Sequence, residues 1–593
     1  MFELIIYMDD NEIKELIWLF ALKNAIKFDG KPNKKAIMGK LMAEKKELRS
    51  KAKELLSMIE DIITELSKLS VEEQKERLLE LDPRALEKKQ KKEEKKELPE
   101  LPNHDKHEKI VMRLAPYPSG ALHIGNARMI VLNDEYVKRY GGELILFYDD
   151  TIGSPKSLRG DPKAKYVLPE AYDLIEEGLK WLGVNYSKIY YKSDRLEIYY
   201  EYCEKLIRDN MAYVCFCTAN EFRDKYKLKM QDCPHRNQTI EKNLEEWHNM
   251  LNRKYGETEA VVRLKTGMDQ QNPALRDQII MRISEAEHPR VGNKYVVWPM
   301  LEFSWAIDDH LLGITHILRG IDLVKEDIIE EFIWEHFKWP KAEFLHYGRL
   351  RFPEMKLSKT LAREKIKKGE YRGWDDPRTW SLQSLAKRGI RPEALRETLL
   401  DLGMSQTGIT FSVDWLYSKN KEIIDEISNR YFYVENPILL KIKDVEQDEY
   451  TAKPLLLPTH PEKGARKIHL RIREGFLEVY IAESDLRITE EGKVIRLKDL
   501  LNVEIVMIDR ENNVVFGKFH SSKLNREFSI IHWVPADEYI HVSILKPDGE
   551  ISRGFGEINL LDIPLNNTIQ FERYGFVNPV EIKDNELFCY FTH

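Results

Sequence analysis

The chain has 593 residues and a mass of 70.0 kDa, which at roughly 100 to 200 residues per domain means several folding units and excludes a single small module. Hydrophobic residues at 42%, charged residues at 33% and a mean hydropathy of −0.50 describe packed cores under a solvated surface. A net charge of −7 counts, as an average over the whole chain, against a polyanionic partner.

No stretch approaches the roughly 20 apolar residues of a membrane helix, and the first ten residues lack a basic start, so no membrane partner and a cytoplasmic address are expected. Five cysteines, an odd count, do not make a secreted disulfide framework. In chain order, Ile13, Leu16, Ile17, Phe20, Ala21, Ala25 and Ile26 recur at helical spacing after Asp10-Asn11, and Leu48 to Leu66 repeats the pattern. The mixed-sign run from Glu87 to Glu97 reads as solvated helix or linker. From Lys109 the texture becomes a βαβ unit: strand Ile110–Leu114, a Pro/Gly turn, a helix from Ala127 to Lys138 and strand Leu144–Tyr148, hence a parallel sheet. A cysteine-bearing section between Tyr213 and Pro289 reads as an insertion, after which Tyr295–Trp298 and Thr315–Leu318 resume the strand pattern. Helical, basic sequence fills Leu361 to Tyr431. Beyond Asn436 come short strands, among them Leu439–Ile442, Leu477–Ile481, Val503–Met507, Phe528–Ile531 and Tyr539–Ile544, with Lys546–Glu550 as a hairpin loop.

Three constellations carry chemistry. The first is Arg113-Leu-Ala-Pro-Tyr-Pro-Ser-Gly-Ala-Leu-His-Ile-Gly-Asn126, between the first strand and its helix. A His and a Gly at a helix mouth let phosphate approach free N–H groups and the positive end of the dipole. Alone it is weak, since His-x-Gly arises about once by chance in a chain of this composition. The second, Met355-Lys-Leu-Ser-Lys-Thr360, sets two lysines around a hydroxyl, suited to charge building on a departing pyrophosphate. The third is Cys215-x-Cys217 with Cys233-x-His235. Three thiolates and one imidazole match a closed, structural, tetrahedral zinc site, the alternative being reduced buried thiols. Cys203 and Cys589 read as plain core.

The first two segments resemble the paired signatures of class I aminoacyl-tRNA synthetases. Ile307-Asp-Asp-His-Leu-Leu-Gly-Ile-Thr-His-Ile-Leu-Arg-Gly320 and Gly373-Trp-Asp-Asp-Pro-Arg378 narrow the resemblance to the glutamyl/glutaminyl branch, in its archaeal glutamyl form. It extends from Phe20-Ala-Leu-Lys-Asn-Ala25 through Asn429-Arg-Tyr-Phe432 and Pro458-Thr-His-Pro461 to Phe571-Glu-Arg-Tyr-Gly-Phe576. It implies a multidomain chain: an N-terminal helical domain with charged linker (1–107), a Rossmann-type α/β catalytic domain (108–212 and 291–350) split by an acceptor-binding insertion (213–290), a helical stem-contact region (351–435) and C-terminal all-β anticodon-binding barrels (436–593). The implied reaction joins glutamate, ATP with Mg2+, and tRNA-Glu; whether tRNA-Gln is also charged, and whether the N-terminal helices dock a protein partner, stay open.

The resemblance also implies roles. His123, Gly125 and Asn126 face ATP, and Lys356, Ser358 and Lys359 face its phosphates. Arg113, Pro116, Ser119 and Asp149 line the substrate site, with Asp149 receiving the α-amino group. Arg319 offers a planar fork to a side-chain carboxylate and so favours glutamate over glutamine; the alternative is a structural ion pair. Asn126 stands where the motif usually ends in His, and Tyr117, Leu301 and Ile152-Gly-Ser depart from the pocket pattern. Two rival readings remain: a glutaminyl enzyme, and a synthetase-derived RNA-binding protein without catalysis. The acidic total is compatible with tRNA because charge is local: residues 349–372 hold nine Lys and Arg against three Glu.

Overall fold

Five short runs become parallel strands, three in one ladder and two in another that meets it edge to edge, in the computed structural model, which describes residues 10–27, 32–44, 52–81, 97–151, 166–353 and 355–593. They are β1 (Val111–Leu114), β2 (Glu143–Tyr148), β3 (Lys188–Tyr191), β4 (His316–Gly320) and β5 (Glu343–Tyr347). β2 is nearly continuously buried, as expected of a strand covered on both faces. β1 pairs in parallel with β2, β2 with β3, and β4 with β5. The Thr315 N–H donates to the Val111 carbonyl and the Val111 N–H to the Thr315 hydroxyl, each at 2.9 Å, joining β4 to β1. The order is β3-β2-β1-β4-β5, so the chain reverses direction across the sheet between β1 and β4. Crevices at such a switch point, beyond the carboxyl ends of the strands, are where doubly wound sheets bind ligands.

The insertion between β3 and β4 builds an antiparallel sheet in the order Ala212–Cys215, Val261–Leu264, Ile279–Ile283, Val297–Pro299. The Tyr295–Trp298 run, expected to resume the catalytic sheet, is therefore the last strand of the insertion. Its alternation fits either sheet, and only pairing with Ile279–Ile283 decides. The core of this part continues into Ile145 and Phe147 of β2, so the insertion covers one face of the catalytic sheet.

The segment after β5 is helical, with Lys359–Lys367, Leu382–Lys387, Pro392–Asp401 and Val413–Ile424. Arg430–Tyr431 and Tyr433–Glu435, assigned by sequence to the helical region, instead join the seven-stranded C-terminal sheet through residues 569–571 and 551–557. A nine-stranded sheet with its own core around Leu440, Val479, Val503 and Trp533 completes the β region, giving two barrel-like bodies. Lys546–Glu550 is the hairpin loop expected, between antiparallel Tyr539–Leu545 and Ile551–Glu557.

Residues up to 94 form a separate compact unit of helices Asp10–Lys27, Lys34–Glu44, Ala52–Leu66 and Val71–Leu81 around Ile17, Phe20, Leu41, Ile59 and Leu78. The second and fourth helices were not anticipated, although Ser70 and Glu73 form a capping box, the Ser70 N–H donating to the Glu73 carboxylate at 2.7 Å. Most of the charged run and the departure at 152–155 lie outside the described residues. Residues 98–107, expected as linker, are bound to the catalytic body. Leu101 is buried there, its N–H donating to the Tyr140 hydroxyl, and the Pro99 and Pro102 carbonyls accept from Tyr136 and His316. Among the described residues no helix is long and apolar enough to cross a membrane.

Candidate active site

The turn after β1 ends in helix Ile124–Tyr140, with His123 as its N-cap. The Asn126 side-chain oxygen accepts from the His123 N–H at 3.1 Å, and the Asn126 N–H donates to the His123 carbonyl at 2.8 Å. Asn126, the departure from the expected histidine, thus caps the helix that presents His123. Gly125 has a steric reason: a Cβ there would press on the His123 ring and approach the Leu357 side chain at 3.3 Å. The two signatures, more than 200 residues apart in sequence, are therefore in contact. Lys359 Nζ reaches the Gly120 carbonyl at 3.4 Å. Ser358 caps helix Lys359–Lys367, its hydroxyl accepting from the Leu361 N–H at 3.2 Å, while Lys356 is exposed on the same loop.

A third segment braces the first signature. Gly120 has φ +139°, and a Cβ there would collide with the Trp374 ring, so glycine is required for Trp374 to lie on the turn. Asp376 accepts from the Arg372 and Arg378 N–H groups and from the Arg378 guanidinium. The Ile124 N–H donates to Trp380 O, and the Leu382 N–H to Leu122 O. The Gly-Trp-Asp-Asp-Pro-Arg stretch is thus a clamp on the first signature. Arg128, which sequence reasoning missed, is buried in the same helix and donates to the Gly348 and Gly403 carbonyls at 2.7 Å each, tying the helix to the approach of the lysine loop.

Burial sets protonation at this mouth. Desolvation, aided by the Lys359 ammonium, pushes His123 down to about 4, so it is a neutral imidazole. Desolvation also lowers Lys359, to about 8.

The residues expected to line the substrate site gather where β1 meets β4. Arg113 of β1, Arg319 of β4 and Lys192, just after β3, lie 4.7, 5.2 and 5.0 Å from the centre of the Trp305 ring. Each cation is already paired. Arg113 holds Asp309 with two hydrogen bonds, one of them 2.7 Å from Nη2 to Oδ2. Lys192 lies 2.9 Å from Asp149. Arg319 places one Nη on Glu330 at 2.7 Å and the other on Asp327. Burial, opposed by Arg319 and reinforced by Asp309, holds the Glu330 carboxyl above the usual carboxylate range. The Asp149 N–H donates to the Pro116 carbonyl at 3.1 Å, and the Ser119 N–H to the Tyr117 carbonyl, shaping the loop above β1. Leu301 begins helix Leu301–Leu311. Trp305, Lys192 and Glu330 carried no local signal in the sequence, because their place depends on three strands meeting; only the spacing of Asp327 and Glu330, three apart, marked a shared helix face.

The cysteine constellation closes elsewhere, in the insertion. The donor atoms of Cys215, Cys217, Cys233 and His235 all lie within 4.8 Å of one another, with Cys215 to Cys233 sulfurs at 4.0 Å and the Cys217 sulfur to His235 Nδ1 at 3.5 Å. With metal–donor bonds of about 2.0 to 2.3 Å, the edge of a tetrahedron is about 3.3 to 3.8 Å, so the donor set fits zinc in kind and size. Cys203 and Cys589 are fully buried in apolar cores, as expected.

A doubly wound sheet split by an insertion, with a helix-mouth His-Ile-Gly turn under a Lys-Leu-Ser-Lys loop, defines a class I aminoacyl-tRNA synthetase. Residues 109–426 match the catalytic domain of tRNA synthetases class I (E and Q), and residues 428–521 and 530–579 match the anticodon-binding domains of the same family. The chain belongs to that family. It is similar over nearly its whole length to the glutamate–tRNA ligases of Methanocaldococcus jannaschii (44% identical over 589 residues), Pyrococcus furiosus (43% over 593) and Pyrococcus abyssi (42% over 590), in each case across 98% of this chain and all of the relative.

Proposed function

We propose that this chain is a glutamate–tRNA ligase of cytoplasmic translation, which activates glutamate with magnesium-bound ATP and transfers it to the 3′ end of tRNA-Glu. The observation that carries the reading is the meeting of the two signatures at one helix mouth, Lys359 Nζ beside the Gly120 carbonyl and Leu357 against Gly125. In the first step a glutamate α-carboxylate oxygen attacks the α-phosphorus in line. The bond to the bridging oxygen breaks, and pyrophosphate leaves with the electron pair. No protein nucleophile is needed, only placement and charge. The helix N-terminus and neutral His123 seat the phosphates; Lys359, with Lys356 on the same loop, offsets the charge of the departing pyrophosphate. In the second step a hydroxyl of the terminal ribose attacks the glutamyl carbonyl, loses its proton, and AMP leaves.

Arg113, Asp149 and Arg319 supply the amino-acid site at the β1–β4 crevice. Cys215, Cys217, Cys233 and His235 would hold a structural zinc, which closes the insertion and takes no part in the chemistry. The C-terminal barrels take the anticodon by stacking and edge contacts with splayed bases. A glutaminyl reading draws on one observation, the pairing of Arg319 with Asp327 and Glu330, which already occupies the guanidinium meant for a charged side chain.

Aminoacylation of purified tRNA-Glu and tRNA-Gln with each amino acid decides among the readings. Glutamate on tRNA-Glu is expected; charging driven by glutamine alone overturns the assignment, and glutamate on tRNA-Gln would extend it.

A further inference from the structure

We propose that Glu330 is a specificity-determining residue: it and Asp327 stand in for a substrate carboxylate on Arg319, so that selection of glutamate proceeds by exchange of carboxylates on one guanidinium. The inference rests on the glutamate reading above. Arg319 is only 4% exposed, and both of its Nη groups are taken, by Glu330 and Asp327 from one face of helix Val324–Phe337. Its Nε is buried without a partner, as is the second Glu330 oxygen, so neither group is saturated. The charged groups around Glu330 are Arg319, Arg113 and Asp309; His346 adds a ring nitrogen 2.7 Å from Asp327. Among the described residues two guanidiniums, Arg113 and Arg319, face three carboxylates, Asp309, Asp327 and Glu330, and both guanidiniums are already paired.

A fourth buried carboxylate beside two cations is expensive unless one acid leaves or is neutralised. Glu330 is the group suited to yield. It is fully buried, it keeps an unpartnered oxygen, and its carboxyl is already held toward the protonated form. When the glutamate side chain docks on Arg319, Glu330 takes up one proton from solvent and releases the Nη. Glutamine, with no charge, does not force that proton uptake, so the cost of displacing Glu330 falls on glutamate alone and narrows the margin by which Arg319 favours it.

The test is Glu330→Gln, which keeps the shape and an acceptor for Arg319 while removing the competing charge. ATP–pyrophosphate exchange at saturating ATP is expected to show KM for glutamate falling about tenfold, the scale of one hydrogen bond to a charged group, with kcat within twofold and KM for glutamine unchanged. Calorimetry in buffers of different ionisation heat is expected to show proton uptake on glutamate binding in the unaltered enzyme and none in Glu330→Gln. Equal shifts for both amino acids, or proton uptake that persists, would overturn the inference and leave the glutamate reading intact. Exchange with glutamine alone in the unaltered enzyme would overturn both. If Glu330→Gln does not fold, Asp327→Asn carries the same test, with a fall in KM for glutamate expected and its absence decisive against the proposal.

Discussion

At the mouth of the catalytic helix, burial lowers two side chains by different amounts. His123, held down to about 4, is neutral and can accept or donate a hydrogen bond but cannot contribute charge. The positive charge comes from Lys359, whose ammonium is lowered to about 8 by desolvation alone. A lysine with a depressed pKa is cationic below that value and neutral above it, so kcat/KM for ATP, which reports the free enzyme, is expected to fall as pH rises through about 8. Bound phosphates favour the charged form, so the fall in kcat lies at higher pH. Lys359→Arg should abolish the alkaline fall, because guanidinium does not deprotonate in this range. A fall that persists in Lys359→Arg would assign the titration to another group. Both residues were legible as motif; their protonation was not, since it is set by burial and by the meeting of His123 with Lys359, which come from distant parts of the sequence.

Among elements, the insertion shows where spacing suffices and where it does not. Cys-x-Cys and Cys-x-His could be read as one donor set because each pair is local, and the fold brings the two pairs together around Tyr213 and Phe222. The extent of the insertion was not legible, since Val297–Pro299 reads as a strand for either sheet and its pairing with Ile279–Ile283 is a tertiary fact. Metal analysis of the purified protein is expected to find about one zinc per chain. A strong chelator should raise amide exchange across residues 212–299 while β1 and β2 keep their protection. Protection of the insertion that survives metal removal would show that packed thiols alone hold it.

For the molecule from residue 95 onward, Arg388 joins the catalytic body to the end of the chain. It is fully buried, donates to the Phe591 and Thr592 carbonyls at 2.9 Å each and to the Tyr417 hydroxyl at 2.6 Å, and lies 4.7 Å from the Trp380 ring centre. Asn578 adds a bond to the Lys387 carbonyl at 2.7 Å. A ligase that grips acceptor end and anticodon together needs these parts held at a set distance. Arg388→Ala, which takes the guanidinium from the Phe591 and Thr592 carbonyls and the Tyr417 hydroxyl and leaves a hole in the core, is expected to cost about 3 kcal/mol in denaturant unfolding. It should raise KM for tRNA more than tenfold while pyrophosphate exchange changes less than twofold; equal losses in both assays would make Arg388 a residue of general stability only. The locally positive stretch 349–372 is partly offset within the fold, Lys365 by Glu370 and Lys368 by Glu364. Both glutamates are already among the three counted; from outside the stretch, Glu581 lies 3.6 Å from Arg372 and offsets it.

Short-range pattern by itself determined the family, the βαβ start, the two signatures, the zinc-type donor set and the β character of the last third. Each is written in local segments, although the family and the donor set needed several such segments read together. Only the tertiary structure decided that Asn126 caps the helix presenting His123, that residues 98–107 bind the catalytic body, that Arg430–Glu435 belongs to the C-terminal sheet, and that Arg113 and Arg319 meet over Trp305 with their charges already matched. Those outcomes depend on partners tens to hundreds of residues apart, and a guanidinium read alone in a sequence does not show which carboxylate it will meet.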